Sequence, residues 1–350
     1  MSAMRSRRAA APGGVWPTPA CDAARMSQRI LVTYGGYDLE HPDCGAALVR
    51  AGLELEVRPR ESARTPDELS DLIGDAVAVI ADADPFDARV FARAPELRII
   101  ARTGVGLDSI DLPAATASGV LVTVTPDVNS ETVADHTLAL MLAVLRRIPD
   151  ADRRVRDGGW RDFSRPLGQL HGRNVGLVGF GAIGQAVGRR LQAFGAELLV
   201  HDPWVSRDDV TSVALDELLS RSDLVSLHLP LSAETAHVLD AARIASMKPG
   251  AILVNTARGG LVDQDALVQA LHSGSLAGAG LDVFETEPPG RGELSEMDCV
   301  VLSPHHGGIS DASNLAMSRL ATASVLAALA GNVSGEVANR DVLRSERWIR

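Results

Sequence analysis

The feature that most constrains how this chain folds is a glycine-rich turn between a short apolar run and a helix-forming stretch. The run 174–178 leads into GFGAIG at 179–184, which has the spacing G-x-G-x-x-G. A second apolar run, 198–201, ends at the carboxylate of Asp202, 18 residues after the last glycine of the turn. The turn alone is weak evidence, but strand, turn, helix and acidic strand end together are typical of a dinucleotide-binding unit.

Each position of this turn has a physical role in binding a dinucleotide. The first glycine permits the tight turn, the second lets the backbone approach the pyrophosphate, and the third allows the helix to pack closely on the strand. The pyrophosphate would rest on the helix N-terminus, where unpaired N–H groups and the helix dipole favour negative charge. The carboxylate would accept hydrogen bonds from the ribose hydroxyls. The predicted cofactor site is therefore formed by Gly179, Gly181, Ala182, Ile183, Gly184 and Asp202.

The length and composition indicate two globular domains. The chain has 350 residues, and about half of them precede the turn, so a separate unit must fold first. A hydrophobic content of 46% with 23% charged residues is typical of a globular protein. The net charge of -11 argues against nucleic acid or an anionic membrane as a partner. No apolar run reaches the roughly 18–20 residues that a membrane span needs.

Cysteine and lysine usage excludes further classes of protein. Cys21, Cys44 and Cys299 form no C-x-x-C pair and no zinc-ligand spacing, so we predict no metal site and a reducing, cytoplasmic location. The single lysine, Lys248, is followed by proline and glycine, and no G-K-[ST] sequence occurs. This excludes a P-loop and disfavours lysine Schiff-base chemistry.

Residues 1–27 are predicted to lie outside the folded domains. They contain four arginines and a single acid, a composition that also occurs in transit peptides. Pro12, Pro17 and Pro19 would interrupt an amphipathic helix. We therefore favour a disordered extension, with Met26 as the natural start.

From residue 29 onward, apolar runs of strand length alternate with helix-compatible stretches. The run 53–57 alternates apolar and charged residues, as an edge strand does. Alternation of strands and helices predicts a parallel sheet covered on both faces. The first unit has predicted strands at 30–34, 53–57, 76–80, 97–101 and 120–124, with helices at 42–51 and 87–94.

A second unit of the same kind follows a predicted helix that runs from 129 or 130 to 148. A last helix, 311–329, comes too late in the chain for the second sheet, so we expect it to return to the first domain. We therefore predict an α/β fold of two doubly wound parallel-sheet domains with a cleft between them. Residues 28–127 and 309–350 would form a flavodoxin-like substrate domain, and 128–308 the Rossmann domain that binds NAD. The predicted strands of the second unit lie at 175–179, 198–201, 224–229, 251–255, 278–283 and 299–302.

Five segments carry a family resemblance. They are RTGVGLDSID (102–111), GRNVGLVGFG (172–181), MKPGAILVNTARGG (247–260), LDVFETEP (281–288) and SPHHGG (303–308). They closely resemble the D-isomer-specific 2-hydroxyacid dehydrogenases, and the likeness extends over residues 29–335. The resemblance implies hydride transfer between NAD(H) and a small D-2-hydroxy acid or 2-keto acid. It also implies a homodimer formed largely through the nucleotide domains, with the region 129–148 contributing.

Reduction of a 2-keto acid needs a proton for the carbonyl oxygen and a cation for the carboxylate. His305 is the candidate acid/base because imidazole titrates near neutral pH, and Glu287 would pair with it and stabilise the imidazolium. Arg258 offers a guanidinium fork for the carboxylate and the carbonyl. These three residues fall on positions that resemble the family's Arg–Glu–His set. Backbone N–H groups that would bind the same carboxylate are those of Gly104, Val105 and Gly106.

The resemblance implies further cofactor contacts on both sides of the pyrophosphate. Asp202 favours NAD(H), because a carboxylate there would repel the 2′-phosphate of NADP(H), although the nearby Arg207 leaves this choice open. The implied contacts are Leu229 and Pro230 at the adenine side, Thr256 and Ala257 at the nicotinamide ribose, and Asp282 and Gly307 at the nicotinamide.

The substrate itself is less constrained. The acidic loop 81–84 speaks against a phosphorylated substrate, unless Arg58, Arg60 or Arg64 reaches in from elsewhere. A small keto acid such as glyoxylate, hydroxypyruvate or pyruvate is therefore expected. The role of His306, where relatives usually carry an aliphatic residue, stays open.

A second hypothesis belongs to another class. The same fold and triad occur in NAD-sensing corepressors, which act as interaction proteins with negligible turnover. This chain shows no long partner-binding tail and carries an acidic net charge, so an enzyme is favoured.

Overall fold

The computed structural model describes residues 28–60, 62–164, 166–205 and 210–348. The predicted extension 1–27 and Arg207 lie outside the described residues. Within these ranges the strands, numbered along the chain, are β1 (Arg29–Val32), β2 (Glu54–Val57), β3 (Ala78–Ala81), β4 (Ile99–Arg102), β5 (Leu121–Val124), β6 (Asn174–Val178), β7 (Glu197–His201), β8 (Thr211–Ser212), β9 (Leu224–Leu227), β10 (Ala251–Asn255), β11 (Leu276–Leu281), β12 (Val300–Leu302) and β13 (Glu336–Val337).

The strands form two sheets. One sheet has the order β13-β5-β4-β3-β1-β2, and the other has the order β12-β11-β10-β9-β6-β7-β8. All described pairs are parallel except β13, which lies antiparallel to β5. The first order is flavodoxin-like with an added edge strand, and the second is the Rossmann order with one further strand. The predicted fold class is confirmed, as is the edge position of β2, whereas the antiparallel β13 was not predicted.

Helices connect the strands. Within the described residues the α-helices are α1 (Gly45–Arg50), α2 (Pro66–Ile73), α3 (Ala88–Arg93), α4 (Leu112–Ala117), α5 (Ser130–Arg146), α6 (Ile148–Arg156), α7 (Ala182–Ala193), α8 (Leu215–Arg221), α9 (Ala241–Ser246), α10 (Gln264–His272), α11 (Glu293–Glu296) and α12 (Asp311–Leu329). The bounds of α12 match the predicted last helix. In the part of the chain that is described, no helix combines the length and apolar character needed to cross a bilayer.

Each sheet is covered by apolar clusters on both faces. In β1, Ile30 and Val32 belong to one cluster and Leu31 to another, and all three are fully buried. This alternation follows from the two-residue period of a strand. A parallel sheet whose two faces are both buried needs apolar residues at every strand position, which explains the continuous apolar runs.

Helices α5 and α12 are where the chain passes between the sheets. Leu140 and Met141 of α5 share a buried cluster with Leu177 of the second sheet. Met317 and Val325 of α12 pack instead in the cluster that contains β1. The chain therefore leaves the first sheet before α5 and returns to it with α12.

Candidate active site

The sequence-predicted site residues follow the carboxyl ends of parallel strands, where ligands bind in open α/β sheets. They come after seven strands from both sheets. Gly104 follows β4, Gly179 follows β6, Asp202 follows β7, Leu229 follows β9, Thr256 follows β10, Asp282 follows β11 and His305 follows β12.

The glycine-rich turn has the shape that a pyrophosphate requires. Gly179 has φ +95°, which side chains rarely adopt, and a Cβ on Gly184 would lie 2.4 Å from the carbonyl oxygen of Gly179. At Gly181 a Cβ would meet no atom within 4 Å, so the turn is open on that side. α7 begins at Ala182, and its first-turn N–H groups have no intrahelical partner. These features fit a bound dinucleotide.

Asp202 is held beside the turn by two backbone donors. Its Oδ2 accepts a hydrogen bond from the N–H of Phe180 at 2.7 Å, and its Oδ1 accepts one from Trp204 at 2.9 Å. An ionised carboxylate has about four acceptor sites, so both oxygens retain capacity for ribose hydroxyls. On the other side of the turn, Leu229 Cδ2 lies 3.1 Å from where a Gly179 Cβ would stand.

The turn after β10 is stabilised by the side chain of Asn255, which was not among the predicted site residues. Asn255 is buried at the end of the strand, where its Nδ2 donates to the carbonyl of Arg258 at 2.8 Å and its Oδ1 accepts from the N–H of Ala257 at 3.0 Å. Thr256 Oγ1 shares a 2.8 Å hydrogen bond with Thr137 of α5. A polar residue closing an otherwise apolar strand was the available signal.

Arg258, which follows β10 of the second sheet, contacts the loop that follows β4 of the first sheet. Its Nε donates to Oδ2 of Asp108 at 2.5 Å, and its Nη1 donates to the carbonyl of Ala257 at 2.6 Å. Nη2 lies against Gly106, since a Cβ on that glycine would stand only 1.6 Å away. Glycine at 106 is therefore required for this guanidinium position. Asp108, 150 residues from Arg258, was not predicted.

The loop 104–106 offers fewer free donors than expected. The N–H of Gly104 donates to Thr125 Oγ1 at 2.7 Å in a buried position. Within the described ranges no hydrogen bond is made by the N–H groups of Val105 and Gly106. Of the three backbone N–H groups predicted to bind the substrate carboxylate, those of Val105 and Gly106 therefore remain as candidates.

His305 and Glu287 form the predicted pair. His305 Nδ1 lies 2.7 Å from Oε2 of Glu287, whose Oε1 accepts from the N–H of Phe284 at 3.0 Å. Because the carboxylate only accepts, Nδ1 is the donor and Nε2 is left at the outer end of a ring that is 43% exposed. The backbone of His305 has φ +51°, a conformation uncommon outside glycine that clusters at functional sites.

The charge of Glu287 is favoured by its surroundings. Burial raises the pKa of this carboxyl, but the hydrogen bond and charge of His305, together with the guanidinium of Arg258, outweigh it. The net result is a pKa below the usual value for a glutamate. Glu287 is thus suited to act as a counter-charge for an imidazolium.

Asp282 lies under the His305–Gly307 segment. Its side chain, 1% exposed as a residue, accepts hydrogen bonds from Ser303 Oγ at 2.6 Å, His306 N–H at 3.1 Å and Gly307 N–H at 2.8 Å. Burial raises the pKa of Asp282, yet the hydrogen bonds from His136, Ser303 and Gly307 bring it below its usual value. This network orders the loop that carries His305.

Known proteins resemble this chain over most of its length. The sequence model described as "D-isomer specific 2-hydroxyacid dehydrogenase, NAD binding domain" matches residues 138–307. A glyoxylate reductase of Korarchaeum cryptofilum is 40% identical over 331 residues, covering 91% of this chain and 98% of that protein. The chain belongs to the D-isomer-specific 2-hydroxyacid dehydrogenases. It is an oxidoreductase that transfers a hydride between a nicotinamide dinucleotide and a 2-hydroxy or 2-keto acid.

Two further members of the family show its range. A D-3-phosphoglycerate dehydrogenase of Mycobacterium bovis is 44% identical over 290 residues, which cover 79% of this chain but 55% of that protein. The chain therefore spans about half the length of that relative. An NADPH-dependent glyoxylate/hydroxypyruvate reductase of Sinorhizobium meliloti, solved with NADP and malonate, has a TM-score of 0.75 at 34% identity. That match covers 89% of this chain and 97% of the other.

Proposed function

We propose that this dehydrogenase reduces a small 2-keto acid such as glyoxylate, hydroxypyruvate or pyruvate, with NADH as the preferred cofactor. The observation that carries the proposal is the 2.7 Å pair of His305 and Glu287, with Arg258 on the neighbouring turn. Oxidation of NADH with a panel of 2-keto acids tests it. The names of the Korarchaeum and Sinorhizobium relatives support glyoxylate and hydroxypyruvate as first candidates.

Arg258 would bind the substrate carboxylate. Its Nε is engaged by Asp108, so Nη2 is the end of the fork that faces Gly106. The unengaged N–H groups of Val105 and Gly106 would add two donors to the same carboxylate. A charge-assisted contact from one domain and backbone donors from the other would fix the carbonyl in one orientation.

His305 would supply the proton. When bound, the reduced nicotinamide would supply the hydride for the carbonyl carbon. His305 Nε2 gives its proton to the carbonyl oxygen, and the ring then takes a new proton from solvent through its exposed side. Glu287 stabilises the imidazolium before transfer and keeps Nδ1 protonated, so that Nε2 faces the substrate.

The acidic loop after β3 favours a substrate without a phosphate group. Asp84 is fully buried and is paired with Arg64 at 2.7 Å, so that arginine is committed to a carboxylate. Asp82 follows β3 at the same sheet edge, and the guanidinium of Arg102 offsets its charge. These pairs commit Arg64 and Arg102 to carboxylates of this chain and not to a phosphate, which favours the small keto acids.

Asp202 carries the preference for NADH, and the implied adenine-side, ribose and nicotinamide contacts stay part of this proposal. We expect Asp202→Ala to weaken NADH binding, because hydrogen bonds to a charged group contribute about 1.5–3 kcal/mol. NADPH should lose less, because charge repulsion is removed at the same time. Dissociation constants for both cofactors, measured by fluorescence titration, should therefore converge.

Two further variants sharpen the cofactor test. Asp202→Asn removes the charge and keeps one of the two oxygens that accept hydrogen bonds from the Phe180 and Trp204 N–H groups. Asp216→Ala removes an exposed carboxylate of α8 and should change neither constant. An unchanged NADH-to-NADPH ratio in both Asp202 variants would show that Asp202 does not read the ribose.

The domain division is also proposed. Residues 28–127 and 309–350 would be the substrate domain, which is supported by the packing of α12 against the sheet that contains β1. Residues 128–308 would be the cofactor domain, which is supported by the packing of α5 with α7 and β6.

A homodimer is the proposed assembly. The segment directly after α6 exposes large apolar side chains, which include Trp160 at 70% and Phe163 at 88%. A second subunit would remove them from water. Light scattering of the purified protein should give about twice the chain mass of 36.9 kDa. The Trp160→Glu, Phe163→Glu double variant should shift the mass toward one chain, and a wild-type mass of one chain at assay concentration would contradict the proposal.

A cytoplasmic location without a nucleic-acid or membrane partner completes the proposal. The thiols of Cys44 and Cys299 are unpaired, which suits a reducing compartment. The net charge of -11 would repel polyanions.

A further inference from the structure

Two imidazoles and a buried carboxylate converge beside the proposed catalytic pair without taking part in its chemistry. They are His136 of α5, Asp282 after β11 and His306 after β12. One ligand atom from each lies within 4.8 Å of the others. The rings of His136 and His306 meet edge to face, with centroids 5.1 Å apart.

The closest two ligand atoms already have the spacing that one ion imposes. His136 Nε2 lies 3.3 Å from Oδ1 of Asp282. Ligands bound at about 2.0–2.1 Å to a tetrahedral ion are separated by about 3.3 Å. His306 is exposed, so rotation of its side chain can bring the third ligand to the same point. Asp282 is held in place by Ser303 and the loop N–H groups, so it needs no rearrangement.

The charge balance also favours a cation. The groups that hydrogen-bond to Asp282 are a hydroxyl, backbone N–H groups and an imidazole, and none of them carries a permanent positive charge. A carboxylate that is 1% exposed and has only such partners gains from a divalent ion. His136 Nε2 also lies 2.8 Å from Ser303 Oγ, and the ion would replace this contact, with the Nε2 proton moving to Nδ1 while Ser303 keeps its hydrogen bond to Asp282.

Contrary to the absence of a metal site predicted from the cysteine spacing, we propose that His136, Asp282 and His306 form a binding site for a divalent transition-metal ion of the Zn²⁺ class. Two imidazole nitrogens and one carboxylate oxygen suit Zn²⁺, Co²⁺ or Ni²⁺, whereas Mg²⁺ and Ca²⁺ require mostly oxygen ligands. Water would occupy the fourth position on the exposed side. If Asp282 and Gly307 contact the nicotinamide, as the proposed function has it, the ion competes with the dinucleotide and inhibits the enzyme.

The first test measures binding alone, on tag-free full-length protein without cofactor. Zn²⁺ titrated by calorimetry should bind at one site per chain, and His306→Ala should weaken that affinity at least tenfold. The matched control is His272→Ala, which removes another exposed imidazole, one paired with Glu293 at 2.6 Å, and should leave the affinity unchanged. Since His306 is exposed, its truncation should not alter the melting temperature, which is checked in parallel.

Three results would overturn the site. They are the absence of saturable Zn²⁺ binding, equal affinity in His306→Ala and wild type, and a thiolate charge-transfer band in the Co²⁺ spectrum, which would place the ion at a cysteine.

The second test repeats the titration with saturating NADH, which should raise the apparent Zn²⁺ dissociation constant. Binding that depends on His306 but ignores NADH would overturn the competition while leaving the metal site, and neither assay depends on keto-acid turnover.

Discussion

His305→Ala should lower the turnover number for keto-acid reduction by on the order of 10²–10⁴, the usual contribution of a general acid. The loss should fall on turnover, because the imidazole acts on the carbonyl oxygen during reaction and does not hold the cofactor. The dissociation constant of NADH, measured by fluorescence titration, should stay within about threefold of wild type. Steady-state kinetics at saturating substrate measure the effect.

Two other histidine variants make this result specific. His272→Ala removes a surface imidazole that is likewise paired with a glutamate, and should leave turnover unchanged. His306→Ala should cost far less than His305→Ala, because its ring contacts His136 and is not paired with Glu287. Near-full turnover in His305→Ala together with loss of activity in His306→Ala would move the acid/base role to the neighbouring residue.

Arg258→Ala should damage both substrate affinity and turnover. The guanidinium would hold the carboxylate in the ground state, where charge-assisted hydrogen bonds contribute about 1.5–3 kcal/mol, or about 10- to 150-fold in KM. It would also stabilise the developing alkoxide, and removing one such donor costs roughly 10²–10³ in kcat. A combined loss in kcat/KM larger than either separate effect is therefore expected.

Conservative and surface variants separate geometry from charge at this position. Arg258→Lys keeps the charge but loses the fork that reaches both Asp108 and Gly106, so it should recover only part of the activity. Arg340→Ala breaks an exposed pair with Glu336 and should behave as wild type. A rise in KM with unchanged kcat in Arg258→Ala would restrict this residue to binding and remove it from the transition state.

The architecture could be predicted from the sequence because strands that are buried on both faces consist of consecutive apolar residues. The helix α12 matched its predicted bounds, 311–329, since Ser310 caps its N-terminus and Met317, Ala321 and Val325 are buried at helical spacing. Several short helices, among them α2, α4, α8 and α9, were not predicted because one or two turns show little helical periodicity, although the equally short α1 and α3 were predicted. For α2 a signal existed, since Thr65 and Glu68 form a capping box around Pro66. The helix predicted to run to residue 148 ends at Arg146 as α5. A new helix, α6, then begins at Ile148 with Pro149 in its first turn.

The sequence predicted the contact between His305 and Glu287 but not the contacts that position Arg258 and the loop 104–106. His305 and Glu287 come together because their strands, β12 and β11, are neighbours in the sheet. The pairing of Arg258 with Asp108 joins two domains and depends on how they meet, which no local pattern encodes. The commitment of the Gly104 N–H to Thr125 likewise arises only when the two strand ends lie side by side.

The most direct test of the account is the rate of NADH oxidation by the wild-type protein with glyoxylate, hydroxypyruvate and pyruvate, with NADPH as the comparison cofactor. Chiral analysis of the products from hydroxypyruvate and pyruvate accompanies the rates. The account predicts turnover of at least one of these keto acids, faster with NADH than with NADPH, and a product of D configuration wherever a stereocentre forms. Tight NADH binding without turnover of any keto acid would point instead to a cofactor-sensing interaction protein, and an L product would contradict the account outright.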